Sequence, residues 1–183
     1  MKIGMVAVVA IALTVLAFPA LADTLEELKR RAQQGDVAAQ AMLGLRYKKG
    51  LGMPKNYAKA VHWYRKAAEQ GHAKAQHNLG NMYYHGEGVP KDYVKAVYWY
   101  HKATEQSDAR AQTKLGFMYY RGQGVLKDVV LAHMWFNIAS ANGRERAGKA
   151  RNLLERKMSR AGIERATALA RKCMASKYKT CGQ

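Results

Sequence analysis

The sequence predicts an all-α protein, a solenoid of two-helix units without any strand. The first observation behind this is a repeat. Trp63, Trp99 and Trp135 stand 36 residues apart, as do Gly44, Gly80 and Gly116, Tyr47, Tyr83 and Tyr119, and Ala60, Ala96 and Ala132. This many identities at one offset, spread over residues 36–143, mark a repeat architecture in which each unit buries its apolar face only against its neighbours. The second observation is period. In the middle unit Ala75, Leu79, Met82 and Tyr83 recur at helical spacing, and Ala96, Trp99, Tyr100 and Ala103 do so again further on. The third is the set of glycine pairs Gly50/Gly52, Gly86/Gly88 and Gly122/Gly124, which keep the same interval and separate the two helical runs. An array of near-identical units offers a surface and leaves no evident place for a unique catalytic cluster.

Residues 1–22 read as a secretory signal peptide. Lys2 is a small positive start, residues 3–18 are apolar, Pro19 breaks the run, and Ala20-Leu21-Ala22 is a cleavage pattern. The apolar run is short for a spanning helix, which needs roughly 20 residues, and no cysteine follows the cleavage point to carry a lipid. Cleavage leaves 161 of the 183 residues, enough for one ordinary domain, and lowers the formal charge from +18 to +17. For an intracellular chain such a charge points first to nucleic acid. Export turns the expectation away from nucleic acid, towards an acidic protein or peptide or an anionic envelope component. A merely solvated basic surface explains the charge equally well.

Residues 23–35 read as an N-terminal capping helix, with Thr24 and Glu27 forming a capping box, Leu25 and Leu28 on its apolar side, and Gly35 at its end. Three units follow, 36–71, 72–107 and 108–143. In the middle one, helix A runs from His72 to His85. Gly80 in mid-helix costs about 1 kcal/mol relative to alanine, and its recurrence argues for close approach of the paired helix. The loop from Gly86 to Lys91 carries Pro90, which cannot continue the helix. Asn56, Asp92 and Asp128 are N-caps of the B helices. Gly71, Ser107 and Gly143 terminate them. Trp99, in the central unit, is expected to face both neighbours.

The pattern decays over 144–183, a basic C-terminal capping region. Ala147, Ala150, Leu153, Leu154 and Met158 still form a helical stripe, and Ser159 is the expected N-cap of a last helix with Ile163, Ala166, Ala170, Cys173 and Met174 inward. From Arg144 onward there are 12 Lys/Arg against Glu145, Glu155 and Glu164, a net of +9. Cys173 and Cys181 are the only cysteines, and export predicts a disulfide between them. On one continuous helix their eight-residue separation is roughly 12 Å, while a bridge needs Cα atoms within about 7 Å. The helix must therefore end soon after Cys173 and the tail fold back.

The unit A-x-x-x-L-G-x-x-Y-x-x-G-x-G-V-P-x-D-x-x-x-A-x-x-W-Y-x-x-A resembles the Sel-one-like repeat, a branch of the tetratricopeptide-repeat superfamily. In the middle unit it reads Ala75, Leu79-Gly80, Tyr83, Gly86, Gly88-Val89-Pro90, Asp92, Ala96, Trp99-Tyr100 and Ala103. The third unit departs from it at Leu126 and Phe136. The resemblance implies a right-handed α/α solenoid with capping helices at both ends, in a family of adaptors and regulators, many of them exported by bacteria. In this superfamily the A helices line the concave face and ligands dock on its non-repeated positions. Carried over, the partner-binding candidates are Lys74, His77, Asn81, Tyr84 and His85 in the second unit, and Arg110, Thr113, Phe117, Tyr120 and Arg121 in the third. Tyr84, Phe117, Tyr120, Arg110 and Arg121 are the expected hot part. The mixture of cations and aromatics suits an extended peptide whose carboxylates meet Lys or Arg.

The residues give little support to chemistry. The six histidines form no H-x-x-x-H pair and read as surface or groove residues, and two cysteines without a neighbouring histidine do not make a metal site. No nucleophile elbow, Walker loop or dinucleotide fingerprint occurs. Some cysteine-rich relatives have been linked to β-lactam hydrolysis, and one S-x-x-K runs from Ser176 to Lys179, without the partner motifs such an enzyme uses. The expectation is thus a non-catalytic exported scaffold or regulator with no cofactor. An envelope glycan or β-lactam hydrolase, and an electrostatic binder acting through the basic C-terminal region, are the alternatives.

Overall fold

The structure is a computed structural model that describes residues 24–179 and Cys181. The signal peptide expected over residues 1–22 lies outside them. Nine α-helices and no strand occur among the described residues: α1 (Leu25–Gln33), α2 (Val37–Lys49), α3 (Tyr57–Glu69), α4 (Ala73–His85), α5 (Tyr93–Thr104), α6 (Ala109–Arg121), α7 (Val129–Ala141), α8 (Glu145–Glu155) and α9 (Arg160–Ala175). Helices α2/α3, α4/α5 and α6/α7 pack as pairs, and each pair stacks on the next through α3/α4 and α5/α6. None of the described helices is long and apolar enough to cross a membrane.

Pairing depends on the mid-helix glycine. A Cβ on Gly80 would stand 2.8 Å from the Tyr100 ring and 3.3 Å from the Ala96 carbonyl oxygen, so the absent side chain is what lets α5 lie against α4. Gly44 and Gly116 stand in the same relation to Tyr64 and Phe136. Stacking depends on the loop glycine. Gly88 has φ 72°, and a Cβ there would collide with the Tyr57 carbonyl at the start of α3 in the preceding unit. Asn56, Asp92 and Asp128 cap α3, α5 and α7 through bonds to backbone N–H groups. Buried amides, also 36 residues apart, add a seam the motif did not reveal. Gln40 and Gln76 donate to the Ala32 and Ala68 carbonyls of the preceding helix, at 3.1 and 3.0 Å, and accept from Gln70 and Gln106.

The two ends are built differently. At the N-terminus α1 packs on α2 with Leu28 and Ala32 buried. Thr24 caps it, but the Glu27 carboxylate pairs with Arg30, so only half of the expected capping box forms. At the C-terminus α8 stacks on α7, and α9 then lies across α7 rather than alongside α8. Cys173 and Cys181 are joined by a disulfide, their Cα atoms 4.7 Å apart. The reversal that permits it follows α9 directly, with Lys177 and Tyr178 both at positive φ, and the Tyr178 hydroxyl accepts from Asn142 at 3.0 Å.

Three expectations fail. Trp99 is only half-buried, because the side of α5 opposite α4 has no further layer over it; its counterpart Trp135 is fully buried. Leu153, part of the apolar stripe expected over 147–158, is 61% exposed, because α9 packs on α7 and leaves that side of α8 uncovered. The histidines are not all surface or groove residues: His133 is buried, and its Nε2 lies 2.8 Å from Glu155 on α8, where it ties α8 to α7.

Candidate functional site

Helices α2, α4, α6 and α8 occupy equivalent places in successive units and form one face. On it, along α6 between α4 and the start of α8, lies a cavity of about 430 Å³. Seven of the ten residues singled out in the sequence line it: His77, Asn81, Tyr84, Arg110, Thr113, Phe117 and Arg121. Three lie elsewhere. Lys74 and His85 are exposed and outside the cavity, and Tyr120, 38% exposed, faces a second cavity instead. Lys114, Arg144 and Arg146 complete the lining and were not expected.

The floor is polar and fixed. The Asn81 carboxamide accepts from the Tyr100 hydroxyl at 2.9 Å and places its nitrogen 2.8 Å from His77 Nε2, which makes that ring nitrogen the acceptor. His77 Nδ1 faces Asp108 Oδ1 at 3.6 Å. Burial is the main cause that lowers the His77 pKa to about 4; Asp108 opposes it, and Arg110, Lys114 and Lys48 reinforce it, so the ring is neutral at ordinary pH. Thr113 donates to the Ala109 carbonyl, a bond within its own helix.

The walls are cationic and aromatic. Arg121 donates to the Tyr84 hydroxyl at 3.3 Å, and Tyr84 donates in turn to Gln123 at 3.2 Å, a link between α6 and α4. Lys114 Nζ sits 5.1 Å from the centre of the Tyr84 ring and the Arg121 guanidinium 5.6 Å from that of Phe117. Burial first, then the charges of Arg121, Arg146 and Lys48, hold the Lys114 ammonium below its ordinary pKa. Arg144 Nε is buried without a hydrogen-bond partner. Arg110, Lys114, Arg121, Arg144 and Arg146 thus converge with no carboxylate paired to any of them among the described residues.

The residues missed in the sequence carried a signal. Arg146, Leu153, Arg156 and Lys157 stand 36 residues after Arg110, Phe117, Tyr120 and Arg121. The stripe of non-repeated positions therefore continues onto α8, although the repeat's own leucine and glycine are lost there to Arg151 and Asn152. Arg144 occupies the place of the helix N-caps Asp36, His72 and Asp108, and α8 has no side-chain cap.

The Ser176 hydroxyl donates to the Cys173 carbonyl oxygen at 2.9 Å. No group of three or more His, Cys, Asp or Glu that could hold a metal ion occurs among the described residues.

Fold and site together define an α/α repeat array with a cationic, aromatic-walled cavity on the face of its first-position helices. The Sel1 repeat matches residues 37–72, 73–108 and 109–143, and the chain belongs to that family. Its structure is similar to a Sel1 repeat protein from Oxalobacter formigenes, at 44% identity and TM-score 0.64, over 70% of this chain and 96% of that one. It is also similar to c5321, described as a protective antigen of uropathogenic Escherichia coli with an SLR fold, at 31% identity and TM-score 0.64 over 84% of this chain; this chain spans 42% of that antigen. Cysteine rich protein B of Helicobacter pylori is similar at 28% identity and TM-score 0.55, over 69% of this chain and 97% of that one. A comparison with curated proteins gave no match. Sel1 repeat proteins typically serve as protein-interaction scaffolds.

Proposed function

We propose that this chain is an exported, non-catalytic scaffold that captures an acidic segment of a protein or peptide partner on the concave face of its repeat array. The observation that carries the reading is the convergence of five cations, none paired with a carboxylate, on one cavity walled by Tyr84 and Phe117. Like charges held together without counter-charge favour an anionic ligand, and arginine supplies bidentate geometry for a carboxylate. Aromatic and arginine side chains are also the residues most often found as energetic anchors of interfaces. A leader-like N-terminus and a disulfide in a small basic protein support export.

The test is capture from an envelope extract, read by crosslinking and mass spectrometry. Replacing the exposed Arg110 and Arg146 by glutamate should abolish capture and leave helicity unchanged. Retained capture by that variant would refute the reading. A second reading, adhesion to anionic envelope polymers, is favoured by the exposed cations Arg160, Arg165, Arg171 and Lys172 on α9. It predicts the reverse: binding survives in the Arg110/Arg146 variant and is lost when the α9 cations are neutralised, with a steep salt dependence throughout.

A further inference from the structure

The second cavity, about 410 Å³, lies on the other half of the α6–α8 seam. Its lining differs in kind: Phe117, Tyr120 and Phe136 on one side, Ala150, Leu153 and Leu154 on the other, with Arg156 and Lys157 at the rim. Phe117 borders both cavities, its ring packed edge-on against Phe136 with centroids 4.9 Å apart. Leu153 is largely exposed, so burial in the core does not account for a leucine there. It is the exposed α8 counterpart of Phe117 and Asn81 in the stripe of non-repeated positions. An apolar trough thus continues directly from a site for negative charge, with a single aromatic side chain as the shared wall.

We propose that the two cavities form one bipartite receptor, and that its ligand is an extended segment of a partner protein in which an acidic residue is followed, at a fixed short interval, by a large apolar side chain. The proposal rests on the acidic-partner reading above and adds the second half of the recognition. The acidic side chain enters among Arg110, Arg144 and Arg146, and the apolar one packs between Phe117, Tyr120 and Leu153. Arg146 and Leu153 are seven residues apart on one helix, hence roughly 10 Å along its axis. An extended chain covers that distance in about three residues, which sets the interval. Arg156 and Lys157 at the far rim disfavour a second cation there and make an uncharged or acidic flank the better fit.

Fluorescein-labelled peptides on a glycine–serine background provide the test, read by fluorescence anisotropy. One set carries two adjacent glutamates and one leucine at varied intervals, a second the glutamates alone, a third the leucine alone. The proposal expects the combined peptide with an interval of about three residues to bind at least roughly tenfold more tightly than the glutamate-only peptide. Leu153→Gln, an exposed change to a good helix former, should remove that gain and leave the glutamate-only affinity unchanged. Arg146→Glu should weaken both peptides. A leucine that adds nothing at any interval, or a gain that survives Leu153→Gln, overturns the bipartite receptor and leaves acidic capture standing. If neither glutamate peptide binds the wild-type protein, both readings fall.

Discussion

The second and third units are close copies in sequence and unequal in the structure. Trp99 and Trp135 occupy the same repeat position, yet Trp99 is half-buried while Trp135 is fully buried. The difference comes from α9. It crosses α7 with Ala166, Ala170 and Cys173 turned inward, and it has no counterpart over α5. The other face tells the same story. In the second unit the stripe leaves Lys74 and His85 in open solvent and lends His77, Asn81 and Tyr84 to the first cavity, whereas in the third it is walled by α8 and lines both cavities. A repeat fixes what each unit presents; the array's end decides what becomes of it.

The largest expected effect tests that asymmetry directly. Trp135→Ala should destabilise the protein by roughly 3–5 kcal/mol, as large core truncations do, and Trp99→Ala by about half as much. Urea denaturation of the two variants side by side measures both. Equal losses would mean that α9 does not cover Trp135 in solution. Reduction of the Cys173–Cys181 disulfide attacks the same contact from the other side. The closed loop is short, so the loss should be about 2–3 kcal/mol. Loosening of α9 should also expose Trp135, read as a red shift in tryptophan fluorescence that the Trp135→Phe variant lacks.

Acid should come next. Burial lowers the pKa of both His77 and His101 to about 4, opposed by Asp108 at the first and Glu105 at the second. The unfolded chain takes up these protons near pH 6.5, and the folded protein only near 4. The stability contributed by the neutral rings is therefore complete above about pH 6.5 and is lost as pH falls towards 4. Each ring accounts for about 3 kcal/mol of that loss, at 1.36 kcal/mol per pKa unit, seen as a melting temperature that drops across this window. His101→Phe should flatten the drop, since a phenylalanine keeps the edge contact with Trp135, now at 5.5 Å, without a titrating group.

How much of this was legible in the sequence follows from which interactions are local. The N-caps, the terminator at Ser107 and the close approach of the paired helix at Gly80 were readable, because each is written within one unit and repeated. The disulfide was readable too, since its two ends lie within a single turn-back of the chain. The path of α9 was not. An apolar stripe says that a face will be buried but not which helix will bury it, and α9 had two candidates, α7 and α8. Leu153 was misplaced for the same reason. The cavity was largely legible: seven of its ten lining residues follow from the stripe, Lys114 and Arg144 stand at positions outside it, and Arg146 was overlooked because the loss of the motif's leucine and glycine disguised a stripe that continued on schedule.

Arg144 offers the smallest and most specific prediction. In the other units the residue at this place accepts hydrogen bonds from the first turn of the helix: Asp36 from Ala39, His72 from Ala75, and Asp108 from Arg110 and Ala111. Arg144 cannot accept one, and it puts a cation at the positive end of the α8 dipole. Local rules would favour aspartate here, while the cavity favours the guanidinium. Departures of this kind, unfavourable for the element and favourable for a site, are expected where stability has given way to binding. Arg144→Asp should therefore raise stability by about 1 kcal/mol through the restored cap, and it should weaken the glutamate peptides because it places a carboxylate among Arg110, Lys114 and Arg146. Denaturant unfolding and peptide anisotropy on the same preparation measure the two effects together. A variant that is both more stable and an undiminished binder would show that Arg144 lies beside the ligand rather than against it, and would shift the anionic half of the site towards Lys114 and Arg121.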